Sequence, residues 1–302
     1  YHMGWVDPEG RPAGAERGKR IRPLLCLLVC EAVCGSGDPA RAPAAAVELI
    51  HNFSLLHDDI QDQSPTRRGR PTVWTIWGEP QAINAGDALF TLAHLAIPRL
   101  LPADAQPLAA RMLAVLDETC LALTRGQHLD ISFEGRDDVS VEAYLDMIEG
   151  KTAALLGAAA HLGALAAGAE REKQETYRQF GRRLGLAFQA RDDVLDIWGD
   201  PAVTGKQAAI DIHQRKMSLP VLYGLARSAD LRALYADPAP FDEEAIARAV
   251  ALLDGAGARE YAEDLAREYS ERTVRHLDEA APRAGAGQAL YDLVERLLHR
   301  RH

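Results

Sequence analysis

Aromatic residues are scarce in this sequence, 6% of 302 residues, and cysteine and methionine number four each. Four cysteines without a C-x-x-C pair neither frame a disulfide scaffold nor supply the ligand spacing of a zinc site. Three of them, Cys26, Cys30 and Cys34, recur at every fourth position and share one helix face. They read as small buried hydrophobes in a reduced, cytoplasmic setting. Alternating runs of β-branched residues bounded by turns are also missing; the best candidate, Ile131 to Phe133, is too short to build a sheet. Positive charge is the next shortfall. With 34 Lys and Arg against 44 Asp and Glu the formal net charge is -10, spread along the chain. That excludes general nucleic-acid binding, which needs a basic face, and leaves a small molecule as the expected partner. The stretch most open to confusion with a membrane span, Thr152 to Ala169, is uncharged but mostly alanine and glycine, with only Leu155, Leu156, Leu162 and Leu165 to make it apolar. It reads instead as a helix packed tightly among others, so no membrane span is expected. No targeting signal can be read, and because the chain opens at Tyr1 and not at methionine, a segment ahead of it is left open.

What is present is helical periodicity over a 47% hydrophobic chain. It places helices at 20–34, 42–62, 80–97, 105–134, 140–148, 152–168, 172–198, 216–228, 242–254, 257–279 and 286–300. Breaks are expected at Pro23, Gly35-Ser36-Gly37, Pro65, Pro98, Pro102, Gly199-Asp200-Pro201 and Pro238 to Pro240. The expected fold is a single all-α domain over 1–302, a bundle of roughly ten or more helices around a central cavity.

One short pattern occurs twice, 134 positions apart: an apolar helix ending in two adjacent aspartates with a third at i+4, followed by a loop with glycine and basic residues. The copies are Asp58-Asp59-x-x-Asp62 and Asp192-Asp193-x-x-Asp196. Residues four apart lie about 6 Å apart along a helix and point the same way. Unscreened, such carboxylates repel, so a cation is expected between them. Magnesium fits, because it takes hard oxygen ligands and shares them with phosphates. A single copy reads more readily as a solvated helix end or an N-cap cluster; two copies point to a site. Basic residues gather nearby: Lys19, Arg20 and Arg22, then Arg67, Arg68 and Arg70, then Lys151, Lys206 and Lys216. Each alone is an ordinary surface charge. Together they match a diphosphate, which takes forked arginine donors and point-charge lysines. His51 lies two turns before Asp58 on nearly the same stripe.

These residues resemble the trans-isoprenyl diphosphate synthase family, and the likeness runs from Gly18 to the last helices. It is carried by Gly18-Lys19-Arg20-Ile21-Arg22-Pro23, Leu55 to Asp62 with Arg67-Arg68-Gly69, Gly126-Gln127-His128-Leu129-Asp130, Gly150-Lys151-Thr152, and Phe188 to Asp196 followed by Thr204-Gly205-Lys206 and Asp211. The resemblance implies the isoprenoid synthase fold, a homodimer, and a head-to-tail condensation of isopentenyl diphosphate with an allylic diphosphate. It implies that Asp58, Asp62 and Asp192 bind the magnesium ions, three in number, with Asp59, Asp193 and Asp196 in support. Lys19, Arg22, His51 and Arg68 would hold isopentenyl diphosphate; Arg67, Lys151, Lys206 and Lys216 would hold the allylic diphosphate; Thr152 and Gln189 would face the reacting carbons. The loop from Trp198 to Ser218 is the expected lid, although Gln207 and Ala209 replace a proline and a glycine frequent in the family. Phe53, five residues before Asp58, with the small Ser54 beside it, resembles the tunnel floor of synthases that stop at geranylgeranyl diphosphate. Farnesyl and longer products, a terpene cyclase and a non-catalytic partner subunit are the alternatives.

Overall fold

The computed structural model describes residues 1–14, 18–136, 138–200 and 209–298. In chain order the helices are α1 (Ile21–Cys34), α2 (Arg41–Gln61), α3 (Val73–Trp77), α4 (Glu79–Leu100), α5 (Gln106–Phe133), α6 (Val141–Ile148), α7 (Ala154–Ala166), α8 (Arg171–Trp198), α9 (Ile210–His213), α10 (Leu219–Arg227), α11 (Ala229–Ala236), α12 (Glu243–Gly255), α13 (Ala258–Glu279) and α14 (Ala284–Leu298). A single π-turn, Glu149–Ala153, joins α6 to α7. The only regular strands among the described residues are β1 (Thr66–Arg67) and β2 (Arg70–Pro71), an antiparallel pair of two residues each. The all-α expectation stands.

Two proline breaks do not. Pro23 is the third residue of α1, where the backbone N–H has no intrahelical partner to lose, so the ring starts the helix and does not interrupt it. Pro98 lies inside α4, which continues to Leu100; so near the C-terminus the proline removes one bond of the ladder without ending it. The short helices α3, α9 and α11 and the hairpin were not expected. Ser228 separates α11 from α10 by accepting the Leu231 N–H at 3.1 Å, an N-cap that starts a new helix.

The chain divides into two compact units. The first comprises Tyr1–Cys120, Ala158–Glu175 and Pro282–Gly287. Here α2 lies along α4 so closely that a Cβ at Gly86 would stand 2.3 Å from Nε2 of His57. Leu56, Val73 and Ala82 form a core with Ile60, Trp74, Ala85 and Leu89 against it. Cys26 and Cys30 are fully buried, and a Cβ at Gly163 would come within 2.3 Å of the Cys26 carbonyl. The expected small buried thiols are therefore found, packed where only glycine fits opposite. Burial pushes the Cys30 thiol up to about 12.

The second unit comprises Leu121–Gly157, Thr176–Ala281 and Gln288–His302. Its helices meet through small residues: added Cβ atoms would reach Lys151 N at 2.2 Å from Gly126, the Ala122 carbonyl at 2.7 Å from Gly150, the Leu156 carbonyl at 2.4 Å from Gly181, and Ala153 Cα at 2.6 Å from Gly185. The Ala-Gly run that reads weakly as a membrane span is thus part of a backbone-to-backbone seam. No described helix is long and apolar enough to cross a membrane. A second cluster of this unit is built from Ile197, Ile212, Val221, Leu225, Leu231, Phe241 and Leu253.

Candidate active site

In the first unit, α2 carries Asp58, Asp59 and Asp62 into its last turn and first non-helical residue. They differ sharply in burial. Asp59 is 1% exposed, Asp58 is half-buried and Asp62 exposed, since the neighbouring position is turned about 100° away from the i/i+4 pair. Arg67 closes on this turn, its Nε donating to Asp59 Oδ1 at 2.5 Å and its Nη2 to Asp58 Oδ2 at 3.4 Å. Burial raises the Asp59 carboxyl above its usual range, and Arg67 pulls against that rise.

Arg67 reaches the turn because the chain doubles back at once. Arg68 and Gly69 have φ of 52° and 69°, and with Arg67 paired to Arg70 they form a type I′ hairpin, the two-residue turn whose twist suits antiparallel strands. Arg68 accepts the left-handed conformation at a cost, and its guanidinium then lies where a Cβ on Gly18 would be, 2.8 Å from Cζ. Beside it Arg22 Nη1 stands 3.2 Å from His51 Nε2. Burial first, then Arg22, Arg68 and Arg67, hold the His51 imidazole well below its usual range, so its neutral form faces the guanidinium groups. Arg22 and Arg68 thus lie about His51; Lys19 is exposed at the foot of α1. Phe53 packs edge-on against Phe90 of α4 at 5.2 Å and against His57 at 4.9 Å. Ser54 turns its hydroxyl back to the His51 carbonyl at 2.8 Å.

In the second unit, α8 carries the other acidic turn. Asp192 is half-buried, whereas Asp193 and Asp196 are 3% and 8% exposed. Asp193 is fully engaged: Tyr144 OH donates to Oδ2 at 2.5 Å, the Leu219 N–H to the same oxygen at 3.2 Å, and Gln189 Nε2 to Oδ1 at 2.9 Å. Burial raises its pKa and these donors oppose the rise. The chain of contacts continues, since Thr152 Oγ1 donates to Gln189 Oε1 at 3.0 Å and Lys151 pairs with Asp130. The glycine contact between Gly126 and Gly150 brings Asp130 and Lys151 together, and the π-turn sets Lys151 and Thr152 one residue out of helical step, a device common at functional sites. Desolvation works against the charge of Lys216, but Asp211, Asp193, Asp130 and Asp196 outweigh it and raise its pKa. Asp211 itself is pushed up to about 7 by burial, against the pull of Lys216. Lys206 and residues 201–208 of the expected lid lie outside the described residues.

Among the described residues no three His, Cys, Asp or Glu side chains stand together as a cage for a metal ion. Each acidic turn offers its carboxylates at i and i+4 instead. Such a donor set fits magnesium, which keeps few protein ligands and completes its octahedron with phosphate oxygens and water.

The family model for polyprenyl synthetase matches residues 13–253. The chain belongs to the polyprenyl synthetase family. It is 47% identical over 226 residues to (2E,6E)-farnesyl diphosphate synthase of Mycobacterium tuberculosis (strain H37Rv), 75% of this chain and 62% of that protein. The chain thus spans less than two thirds of that relative's length. It is 42% identical over 284 residues to geranylgeranyl diphosphate synthase of the same organism, 93% of this chain and 80% of that one. The crystal structure of a polyprenyl synthetase from Streptomyces coelicolor A3(2) is similar with a TM-score of 0.90 and 41% identity, over 99% of this chain and 90% of that one.

For a polyprenyl synthetase the surprise lies in residues the sequence does not single out. Tyr144 sits on an amphipathic helix and reads as core; only its place seven residues before Lys151, two helical turns, hints that it shares a side with the site.

Proposed function

We propose that this chain joins isopentenyl diphosphate head to tail to an allylic diphosphate, giving a short all-trans prenyl diphosphate of twenty carbons, geranylgeranyl diphosphate. The observation that carries this reading is the presence, within the first unit, of two cationic groups of different kinds. Arg67 is bound to the carboxylates Asp58 and Asp59, which suits a metal-borne diphosphate. Arg22 and Arg68 gather around His51, which suits a diphosphate held by protein donors alone. An enzyme that only ionised an allylic diphosphate would have no use for the second group.

In this reading Asp58, Asp62 and Asp192 hold magnesium, supported by Asp59, Asp193 and Asp196. Magnesium, bound with the allylic diphosphate, would neutralise the leaving anion as its bond to carbon lengthens. Arg67, Lys151, Lys206 and Lys216 steady the same anion as charge develops on it. Lys19, Arg22, His51 and Arg68 fix isopentenyl diphosphate so that its double bond meets the allylic carbon, and positioning supplies much of the rate. Thr152 and Gln189, already bonded to one another, line the place where the carbons react. Phe53, steadied by Phe90, ends the tunnel for the growing chain. Exposed Ile83, Leu92 and Leu100 on α4 support a homodimer.

The test is product analysis after incubation with magnesium, isopentenyl diphosphate and each allylic primer. Diphosphate is released only when both substrates are present, and a twenty-carbon product accumulates. Release of a cyclic hydrocarbon from the allylic substrate alone would overturn the proposal.

A further inference from the structure

Helix α9 is four residues long and is bracketed by two non-glycine residues in the left-handed conformation, Ala209 with φ 51° before it and Arg215 with φ 52° after it. The Arg215 N–H bonds to the Ile212 carbonyl at 3.0 Å and the Lys216 N–H to the Asp211 carbonyl at 2.8 Å. This pair of bonds closes a helix around a left-handed residue, a place where glycine is the usual choice because it has no Cβ to clash. Arginine is strained there, and a strained residue persists only where its surroundings hold it.

The surroundings are the end of α11. Arg215 Nη1 donates to the Tyr235 carbonyl at 3.0 Å, and Nη2 donates to the Asp237 carbonyl at 2.6 Å and to the Ala239 carbonyl at 2.5 Å. Its guanidinium lies 4.0 Å from the centre of the Phe241 ring, and that ring packs edge-on against Tyr235 at 5.2 Å. Carbonyls at a helix C-terminus lack intrahelical partners and carry partial negative charge, so a planar cation with several donors suits them. One side chain therefore fastens the turn after α9 to the segment from Tyr235 to Phe241.

What the turn carries is Lys216. The bond from its N–H brings the lysine back beside Asp211, which is 3% exposed, and three residues later the Leu219 N–H reaches Asp193 Oδ2 at 3.2 Å. Desolvation opposes the Lys216 charge, yet Asp211, Asp193, Asp130 and Asp196 raise its pKa, so the ammonium shares the neighbourhood of the second acidic turn. A lysine stem is long and flexible, and its charge is placed only as well as its backbone is held.

We propose that Arg215 is a positioning residue for Lys216: its left-handed turn aims the lysine, and its guanidinium pins that turn to the end of α11, so that the ammonium meets the allylic diphosphate at a fixed point. The inference rests on the function proposed above. It gives Arg215 a part in allylic binding although its own donors are engaged by backbone carbonyls.

The experiment compares wild type, Arg215→Gly, Arg215→Lys, Lys216→Ala and the double variant Arg215→Gly/Lys216→Ala in the full chain. Calorimetry with magnesium and farnesyl S-thiolodiphosphate, whose allylic carbon–sulfur bond ionises far more slowly than the natural carbon–oxygen bond, reads binding without turnover. Steady-state assays read KM for each substrate, and circular dichroism reads the melting temperature. Glycine is the informative substitution because it fits the left-handed turn without strain and removes the tether alone. Lys216→Ala is expected to weaken the probe by about tenfold, the effect of losing one hydrogen bond from a charged donor. Arg215→Gly weakens the probe and raises KM for the allylic substrate by about fivefold each, while KM for isopentenyl diphosphate stays within about twofold. Arg215→Lys, which keeps a cation without the forked donors, falls between Arg215→Gly and wild type. In the double variant the loss is that of Lys216→Ala alone, because a residue that acts through Lys216 has nothing left to act on. Wild-type affinity in Arg215→Gly with only a lower melting temperature overturns the proposal, as does an equal rise in both KM values or a double variant whose losses add. If wild type binds the probe but joins no substrates, the proposed reaction fails, and the calorimetric comparison alone decides the role of Arg215.

Discussion

Replacing Tyr144 by phenylalanine removes one oxygen and little else. The ring is 3% exposed and its hydroxyl donates to Asp193, itself 3% exposed, at 2.5 Å. Without that donor, Asp193 Oδ2 keeps only the Leu219 N–H at 3.2 Å, a weaker partner at the start of α10. A hydrogen bond to a buried carboxylate contributes about 1.5–3 kcal/mol, and phenylalanine fills nearly the same volume, so no cavity penalty adds to it. A loss of about 2 kcal/mol lowers the melting temperature of a 302-residue chain by roughly 3 °C. The functional effect is separate. Asp193 links α6, Gln189 and α10 in one network, so its release lets the turn that carries Asp192 and Asp196 shift. The magnesium concentration for half-maximal condensation then rises several-fold, while KM for isopentenyl diphosphate holds. Thermal melting by circular dichroism and a magnesium titration of diphosphate release measure the two effects. A variant with the melting temperature and magnesium dependence of wild type would refute the reasoning, and one that melts lower with unchanged magnesium dependence would reduce Tyr144 to packing.

Phe53→Ala should lengthen the product beyond twenty carbons, read by chromatography of the dephosphorylated alcohols; an unchanged length would leave Phe53 as packing between α2 and α4. Gly126→Ala would place a Cβ 2.2 Å from Lys151 N and is expected to cost about 3 kcal/mol or more by overpacking, whereas Gly285→Ala, with nothing within 4 Å, should change the urea midpoint little. His2 has its pKa lowered from 6.5 to about 4, by burial and then by Arg67 and Arg68. A depressed histidine contributes stability that is present above pH 6.5 and lost as pH falls toward 4, because the unfolded chain takes up the proton first. The wild-type urea midpoint should therefore drop more between pH 7 and pH 5 than that of His2→Gln. Cys26 and Cys30, fully buried with raised thiol pKa values, should stay unmodified by a disulfide reagent at pH 8 until the chain is denatured.

The long helices and both acidic turns were legible because their signals are local and repeated: apolar stripes over many turns, and carboxylates at i and i+4. The partition of roles within each turn was not. Asp59 and Asp193 look like their neighbours in sequence, yet each is buried and bonded to a side chain 8 or 49 positions away. The hairpin escaped notice because two-residue strands show no period, and an arginine at the first central position of a type I′ turn is not the asparagine or aspartate that usually marks one. The π-turn escaped for the opposite reason: one extra residue inside an unbroken helix reads as a gap between two. Pro98 misled because position, and not the residue, decides whether proline ends a helix.

The hairpin from Thr66 to Pro71 also makes loop length a functional quantity. Its three arginines serve the acidic turn, the Gly18 backbone and the Tyr1 and Val6 carbonyls, and which arginine meets which partner follows from counting residues around a two-residue turn. A single residue inserted between Arg67 and Arg70 would change no side chain named here, yet it would convert the turn to another type and hand each guanidinium a different neighbour. Grafting this segment between related enzymes should therefore succeed only when its length is copied along with its letters.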